Sequence, residues 1–281
     1  MQLLLSIAPC FSDKVTCRRA IRWNLFADRF ENVAYICRIV SPCFRTIAMP
    51  DPSPSPFVGI LMLDTRFERP IGDAGNVASY PCPARVAVVE GAESPEIVKD
   101  GRPSDALVEA FLRAARQLEA DGAIAITSTC GFLITIRKEL QAAVSIPVIT
   151  SALCLYPALK ARHPDGRIGI LTASKSSLGK VALAAAGIDA KDVVIEGMED
   201  CPAFAEAILR AKADQTLKMD QGAIEAAITA KAKAMVARHP NVRAFLLECG
   251  NMPPYQAAIA KATGRPVVSL LDGIADLLRR A

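Results

Sequence analysis

The chain has 281 residues, enough for a large core or two domains of ordinary size. A hydrophobic fraction of 52% against 22% charged residues argues against a disordered chain, and Pro147, Ser151 and Pro157 interrupt the apolar stretches before any reaches the roughly 18 residues of a membrane span. The net charge of +4 sits upstream: residues 1–48 hold seven basic residues (Lys14, Arg18, Arg19, Arg22, Arg29, Arg38, Arg45) against Asp13, Asp28 and Glu31, so the remainder is neutral and carries no electrostatic footprint for nucleic acid.

The same upstream segment holds Cys10, Cys17, Cys37, Cys43 and Trp23, shows no helical or strand period, and runs into the stiff linker Met49-Pro-Asp-Pro-Ser-Pro-Ser-Pro56. Its apolar patch Leu3–Ile7 lacks the basic residues that open a signal peptide. The arginines leave a targeting or partner-binding arm open. The preferred reading is that 1–48 is an N-terminal extension upstream of a natural start near Met49. Nine cysteines placed singly, without Cys-x-x-Cys, describe neither a disulfide framework nor a zinc site, and a reducing cytoplasm is expected.

From Phe57 onward strands and helices alternate. Val58–Leu63 reads as a buried strand ending in Asp64 and Thr65, and a stretch rich in Gly, Pro and charge follows to Cys82. Ala84–Glu90 is a second strand. Ser104 or Asp105 caps a helix whose Leu107, Val108, Phe111, Leu112, Ala115 and Leu118 share one face, and Gly122 ends it. The run from Ala123 then breaks into Thr127, Ser128 and Thr129 and presents Cys130. A helix from about Leu133 to Ala143, a strand Ile146–Thr150 and a helix to about Arg162 complete a pattern that implies a parallel sheet.

The second half repeats the first. Val58-Gly-Ile-Leu61 is matched by Ile168-Gly-Ile-Leu171, Ile146-Pro-Val-Ile149 by Arg265-Pro-Val-Val268, and the strand ending in Cys130-Gly131 by Ala244-Phe-Leu-Leu-Glu-Cys249-Gly250. Cys130 lies 17 residues before Pro147, and Cys249 lies 17 before Pro266. The separation from Gly59 to Cys130 is 71 and from Gly169 to Cys249 is 80, as one loop insertion would give. Cys130 and Cys249 are therefore equivalent, each at the carboxyl end of a strand, where open α/β sheets bind ligands.

A helix N-terminus lowers a thiol from its usual pKa of about 8.5, and both cysteines are expected at such a position, one as thiolate and the other as thiol. Facing one another across a pseudo-twofold axis, one would take a proton from a carbon acid while the other delivers one to the opposite face, without metal or organic cofactor. Cys82, Cys154 and Cys201 read as packing residues. His163 and His239 occupy equivalent helix ends and read as structural. Lys175 and Lys180 lack the glycines of a phosphate loop.

These two cysteine motifs and the repeat resemble the aspartate/glutamate racemase superfamily, which includes cofactor-independent two-cysteine racemases, hydantoin racemases, maleate isomerases and arylmalonate decarboxylases. The resemblance covers about Phe57–Ala281 and implies two pseudo-symmetric α/β domains, each a parallel sheet flanked by helices, with the active site in the cleft between them. The first domain would comprise 49–155 plus about 255–281, the second 156–254. Cys130 and Cys249 become the acid–base pair. Asp64 and Thr65 match an acidic and a hydroxyl position, and the repeat sets Ser174 and Lys175 opposite them. Glutamate racemases follow their cysteines with Asn-Thr and Thr-His. Here Cys130-Gly131-Phe132 and Cys249-Gly250-Asn251 stand instead, leaving the amides of Gly131 and Gly250 for a carboxylate.

Thr129, Thr172, Ser174 and Asn251 add hydroxyl or amide contacts, and Arg66 or Arg69 offers a two-point bond to a carboxylate. The expected activity is a cytoplasmic, cofactor-independent racemase or epimerase of a small carboxylate, an amino acid foremost. A maleate-type cis–trans isomerase and a non-catalytic ligand-binding or regulatory protein are the alternatives. The expected partner is the small-molecule substrate, not nucleic acid or membrane, and a homodimer is left open.

Overall fold

The computed structural model describes residues 55–280. The expected extension 1–48 lies outside the described residues. Phe57–Leu63 (β1) is an apolar strand buried along nearly its whole length, as the centre of a parallel sheet requires. Ala84–Val89 (β2) flanks it on one side and Ala123–Ser128 (β3) on the other, with Val148–Ile149 (β4) beyond, in the order β2-β1-β3-β4. Arg167–Thr172 (β5), Val193–Gly197 (β6), Val242–Leu247 (β7) and Val267–Val268 (β8) form a second sheet ordered β6-β5-β7-β8. Every pairing is parallel, so the two-sheet α/β architecture and the repeat are both present.

The repeat extends to irregularities. The register slips by a residue between Phe57 and Val58 against β3, and at the same place between Arg167 and Ile168 against β7. Prolines that cannot donate keep their carbonyls in use: Ile126 donates to Pro147 and Phe245 to Pro266. The glycine of each central strand has a packing reason. A Cβ at Gly59 would come 3.0 Å from Leu118 of the helix Asp105–Ala120, and one at Gly169 would come 2.7 Å from Met235 Sδ of the helix Gln221–Arg238. Bare backbone there lets each helix lie close on its sheet.

The helix Asp105–Ala120 starts where Ser104 accepts from Leu107 N, buries Val108, Phe111, Ala115 and Leu118, and stops before Gly122 at φ 97. The helix expected from Leu133 is divided: Gly131–Ile136 forms 3-10 turns, and α-helix begins only at Arg137. Five of those six residues are buried, and the β-branched Ile134, Thr135 and Ile136 favour α-helix poorly. His163 and His239 end their helices, as expected.

The expected domain boundary moves. β8 pairs with β7, so the chain stays with the second sheet beyond residue 255. Only the helix Leu270–Arg280 returns to the first sheet, where Ile274 is buried with Val58, Ile60 and Tyr80. The helix Tyr156–Arg162 does the converse, its Lys160 donating to Gly166 O at 2.8 Å and Asp192 at 3.2 Å. Among the described residues no helix is long and apolar enough to cross a membrane.

Candidate active site

β3 and β7 end side by side in the cleft. Ser128 closes β3 by donating to Thr150 O at 2.6 Å and accepting from Cys130 N at 3.3 Å, which fixes the turn bearing Cys130. The two cysteine loops touch reciprocally. A Cβ on Gly131 would fall 2.2 Å from the carbonyl oxygen of Glu248, and one on Gly250 would fall 2.5 Å from that of Thr129. Each glycine thus meets the residue preceding the other's cysteine, which is the pseudo-twofold relation the repeat predicts.

Cys130 and Cys249 line one narrow cavity of about 20 Å³ and are each 6% exposed. Its apolar wall is Leu63, Phe67, Val98, Phe132, Ala173 and Ile208, the last from a π-helical turn Ala205–Leu209. Its polar wall includes Thr65, Arg69, Thr129, Glu248 and Asn251. Burial pushes both thiols up, and the negative charge of Glu248 adds to it. The Phe132 and Asn251 N–H groups oppose this only in part. The expected lowering by a helix N-terminus is therefore reversed, because desolvation dominates and the turn after each cysteine is 3-10.

A polar chain runs from the second cysteine into the long loop of the first lobe. Cys249 Sγ donates to Asn251 Oδ1 at 3.3 Å, and Asn251 Nδ2 donates to Asp73 Oδ2 at 2.7 Å. Asp73 Oδ1 accepts from Arg69 Nη1 at 2.9 Å and from Gly75 N at 2.7 Å, while Arg69 Nη2 donates to Thr65 Oγ1 at 2.9 Å. A carboxylate accepts but cannot donate, so Asp73 fixes which end of the Asn251 amide faces it. The amide oxygen is left for Cys249, whose S–H is turned toward it.

Of the residues expected at the site, Cys130, Cys249, Thr65, Thr129, Gly131 and Asn251 line the cavity. Five do not. Asp64 is held by Lys212 Nζ at 2.5 Å and by Gly91 N, which lower its pKa and tie the lobes together. Arg66 gives its guanidinium to the Gln215 carbonyl, so Arg69 is the arginine that reaches the cavity. Thr172 stands behind the wall and donates to Glu248 Oε2 at 2.8 Å. Ser174 bonds Ser176 and Ser177. Gly250 contributes close packing and a carbonyl that accepts from Ala74 N. Lys175 is likewise drawn outward, to Glu196.

Two residues went unassigned by sequence reasoning. Asp73, fully buried, lies in the segment Gly72–Asn76 whose partner is distant in sequence. Glu248, 1% exposed, had a visible signal as a charged residue closing the apolar run Ala244–Leu247. Burial pushes its carboxyl up to about 7 against the opposing Thr172 hydroxyl and Ala173 N–H.

Comparison with known proteins bears on this site. A dimethylsulfoniopropionate lyase of Durusdinium sp. clade D is 33% identical over 217 residues, covering 75% of this chain and 70% of that one. Dimethylsulfoniopropionate lyase 3 of Emiliania huxleyi (strain CCMP1516) is 31% identical over 222 residues, and the match spans 56% of its length. The fold is shared with unliganded arylmalonate decarboxylase, at a TM-score of 0.53, 18% identity and coverage of 80% of this chain and 92% of that one. Allantoin racemase from Klebsiella pneumoniae gives a TM-score of 0.54 at 16% identity, with coverage of 80% and 87%. The expected isomerase acting on an amino acid is corrected by the first two relatives, which carry the name of a lyase. A sequence model described as Asp/Glu/hydantoin racemase matches residues 78–278, and this chain belongs to that family.

Proposed function

We propose that this protein is a lyase that eliminates a thioether from a small sulfonium carboxylate, dimethylsulfoniopropionate or a near analogue. The relatives of that name support the substrate class, although the chain spans only about half of the Emiliania protein's length. The observation that carries the mechanism is the Asp73–Asn251–Cys249 chain, which makes the two cysteines unequal.

The substrate carboxylate pairs with Arg69, with the Thr129 hydroxyl beside it. Thr129 Oγ1 accepts from Leu63 N at 3.2 Å and keeps its own proton to donate. Cys130, next to the Phe132 N–H, acts as the thiolate base. It takes a proton from the carbon next to the carboxylate, the electron pair becomes the new C=C bond, and the carbon–sulfur bond breaks toward sulfur. The products are acrylate, neutral dimethyl sulfide and a Cys130 thiol, so charge and atoms balance. A thioether leaves without being protonated, and the reaction needs one base where racemisation needs a base and an acid. Cys249, with its S–H turned to Asn251, remains a neutral thiol and adds no second anion beside Cys130.

The test is to incubate the purified chain with dimethylsulfoniopropionate and follow dimethyl sulfide by gas chromatography and acrylate by NMR. Equimolar release is expected. A folded protein that releases neither would overturn the reading.

A further inference from the structure

The elimination leaves Glu248 without a task, although its carboxyl forms part of the cavity wall between the two cysteine loops. Thr172 occupies Oε2, and among the described residues no donor bonds the buried Oε1. That oxygen lies against Gly131, where a Cβ would come within 2.2 Å of it. A carboxylate oxygen without a donor suits a ligand that brings positive charge but no N–H or O–H, as a sulfonium or quaternary ammonium does. The charges of the cavity favour the same ligand. Its cation is Arg69, already paired with Asp73 at 2.9 Å, whereas Glu248, Cys130 and Cys249 can ionise only to anions. Phe132, Val98 and Ile208 offer methyl groups an apolar surface with no competing hydrogen bond.

We propose that Glu248 is the counter-ion for the onium centre of the substrate, so that the cavity selects carboxylates bearing a permanently cationic sulfur or nitrogen two carbons away. The proposal rests on the lyase reading for the placement of the carboxylate end, but its test needs no turnover. The groups facing the Glu248 carboxyl are the Cys130 and Cys249 thiols, the Thr172 hydroxyl, the Ala173 N–H and, farther off, the Arg69–Asp73 pair. An onium beside it offsets the negative charge that disfavours a Cys130 thiolate. Recognition of the cation and activation of the base become one event.

The experiment is calorimetric titration of the full chain with 3-(trimethylammonio)propionate, whose amine leaves poorly, and with its uncharged isostere 4,4-dimethylpentanoate. At about pH 8 the onium ligand is expected to bind at least roughly tenfold more tightly, and the preference should shrink at about pH 5.5, where Glu248 is protonated. Glu248→Gln should abolish the preference while leaving the isostere's affinity unchanged. Equal affinities in the wild type, or a preference that survives in a folded Glu248→Gln protein, overturn the proposal. Failure of both ligands to bind wild type overturns it together with the carboxylate placement. An onium preference without dimethyl sulfide release overturns the lyase reading alone.

Discussion

Asp73 Oδ2 accepts a hydrogen bond from Asn251 Nδ2 at 2.7 Å across the cleft, joining two residues 178 positions apart in the chain. The contact does three things at once. It satisfies one oxygen of a buried carboxylate, it closes the long loop of the first lobe over the second, and it orients the amide that faces the Cys249 S–H.

Asp73→Asn removes the charge but not the shape. It leaves Arg69 without its ion pair and lets the Asn251 amide turn. Breaking a buried pair costs about 3–5 kcal/mol, so the thermal midpoint should fall clearly and dimethyl sulfide release should drop at least about tenfold. A variant with wild-type stability and activity would contradict the proposed chain.

The two cysteines should respond unequally. Cys130→Ser replaces the base with a far weaker acid and should reduce turnover by at least roughly 100-fold. Cys249→Ser retains a donor to Asn251 and should lose much less. Initial rates of both variants, with thermal unfolding as a control for folding, check this; equal losses would refute the assignment of the base.

Gly131→Ala places a methyl group against the Glu248 carboxyl and its backbone oxygen. Activity should be lost through displacement of Glu248 and the Cys130 turn. Gly222→Ala is the matched control: its Cβ meets nothing nearer than Asp220 Oδ1 at 3.5 Å within a helix. It should keep full activity and gain about 0.5–1 kcal/mol.

The raised Glu248 carboxyl also sets a pH dependence of stability. Its usual value of 4.5 rises to about 7 on folding, so between these values the folded state binds the extra proton. The associated stability is present below pH 4.5 and is lost as pH rises through 7, a difference of about 3 kcal/mol. Glu248→Gln should therefore unfold at a higher temperature than wild type near pH 8 and at nearly the same temperature near pH 4.5. A difference independent of pH would show that the carboxyl titrates normally.

The sequence carried the architecture because each half was a check on the other: Gly59 and Gly169, Pro147 and Pro266, Cys130 and Cys249 recur in order and hold equivalent places. It also led to both thiols in the cavity wall. Local pattern could not reveal the chain from Asp73 to Cys249, since no spacing announces a contact between a loop and a strand end in different lobes. The choice between Arg66 and Arg69 failed for the same reason. Asp73 draws Arg69 inward, while Gln215, nearly 150 residues away, takes Arg66. The proposed reaction type was illegible for a chemical reason: racemisation and elimination both begin with removal of a proton beside a carboxylate, and the fate of the resulting electron pair depends on the substrate's leaving group.

The helices Tyr156–Arg162 and Leu270–Arg280 each leave the half that precedes them and attach to the other, and Gly273 of the second packs against Leu155, the residue just before the first. Neither half is a complete folding unit. A cut near Gly166 would give each fragment a helix whose seat is on its sibling, so the pair should fold together or not at all.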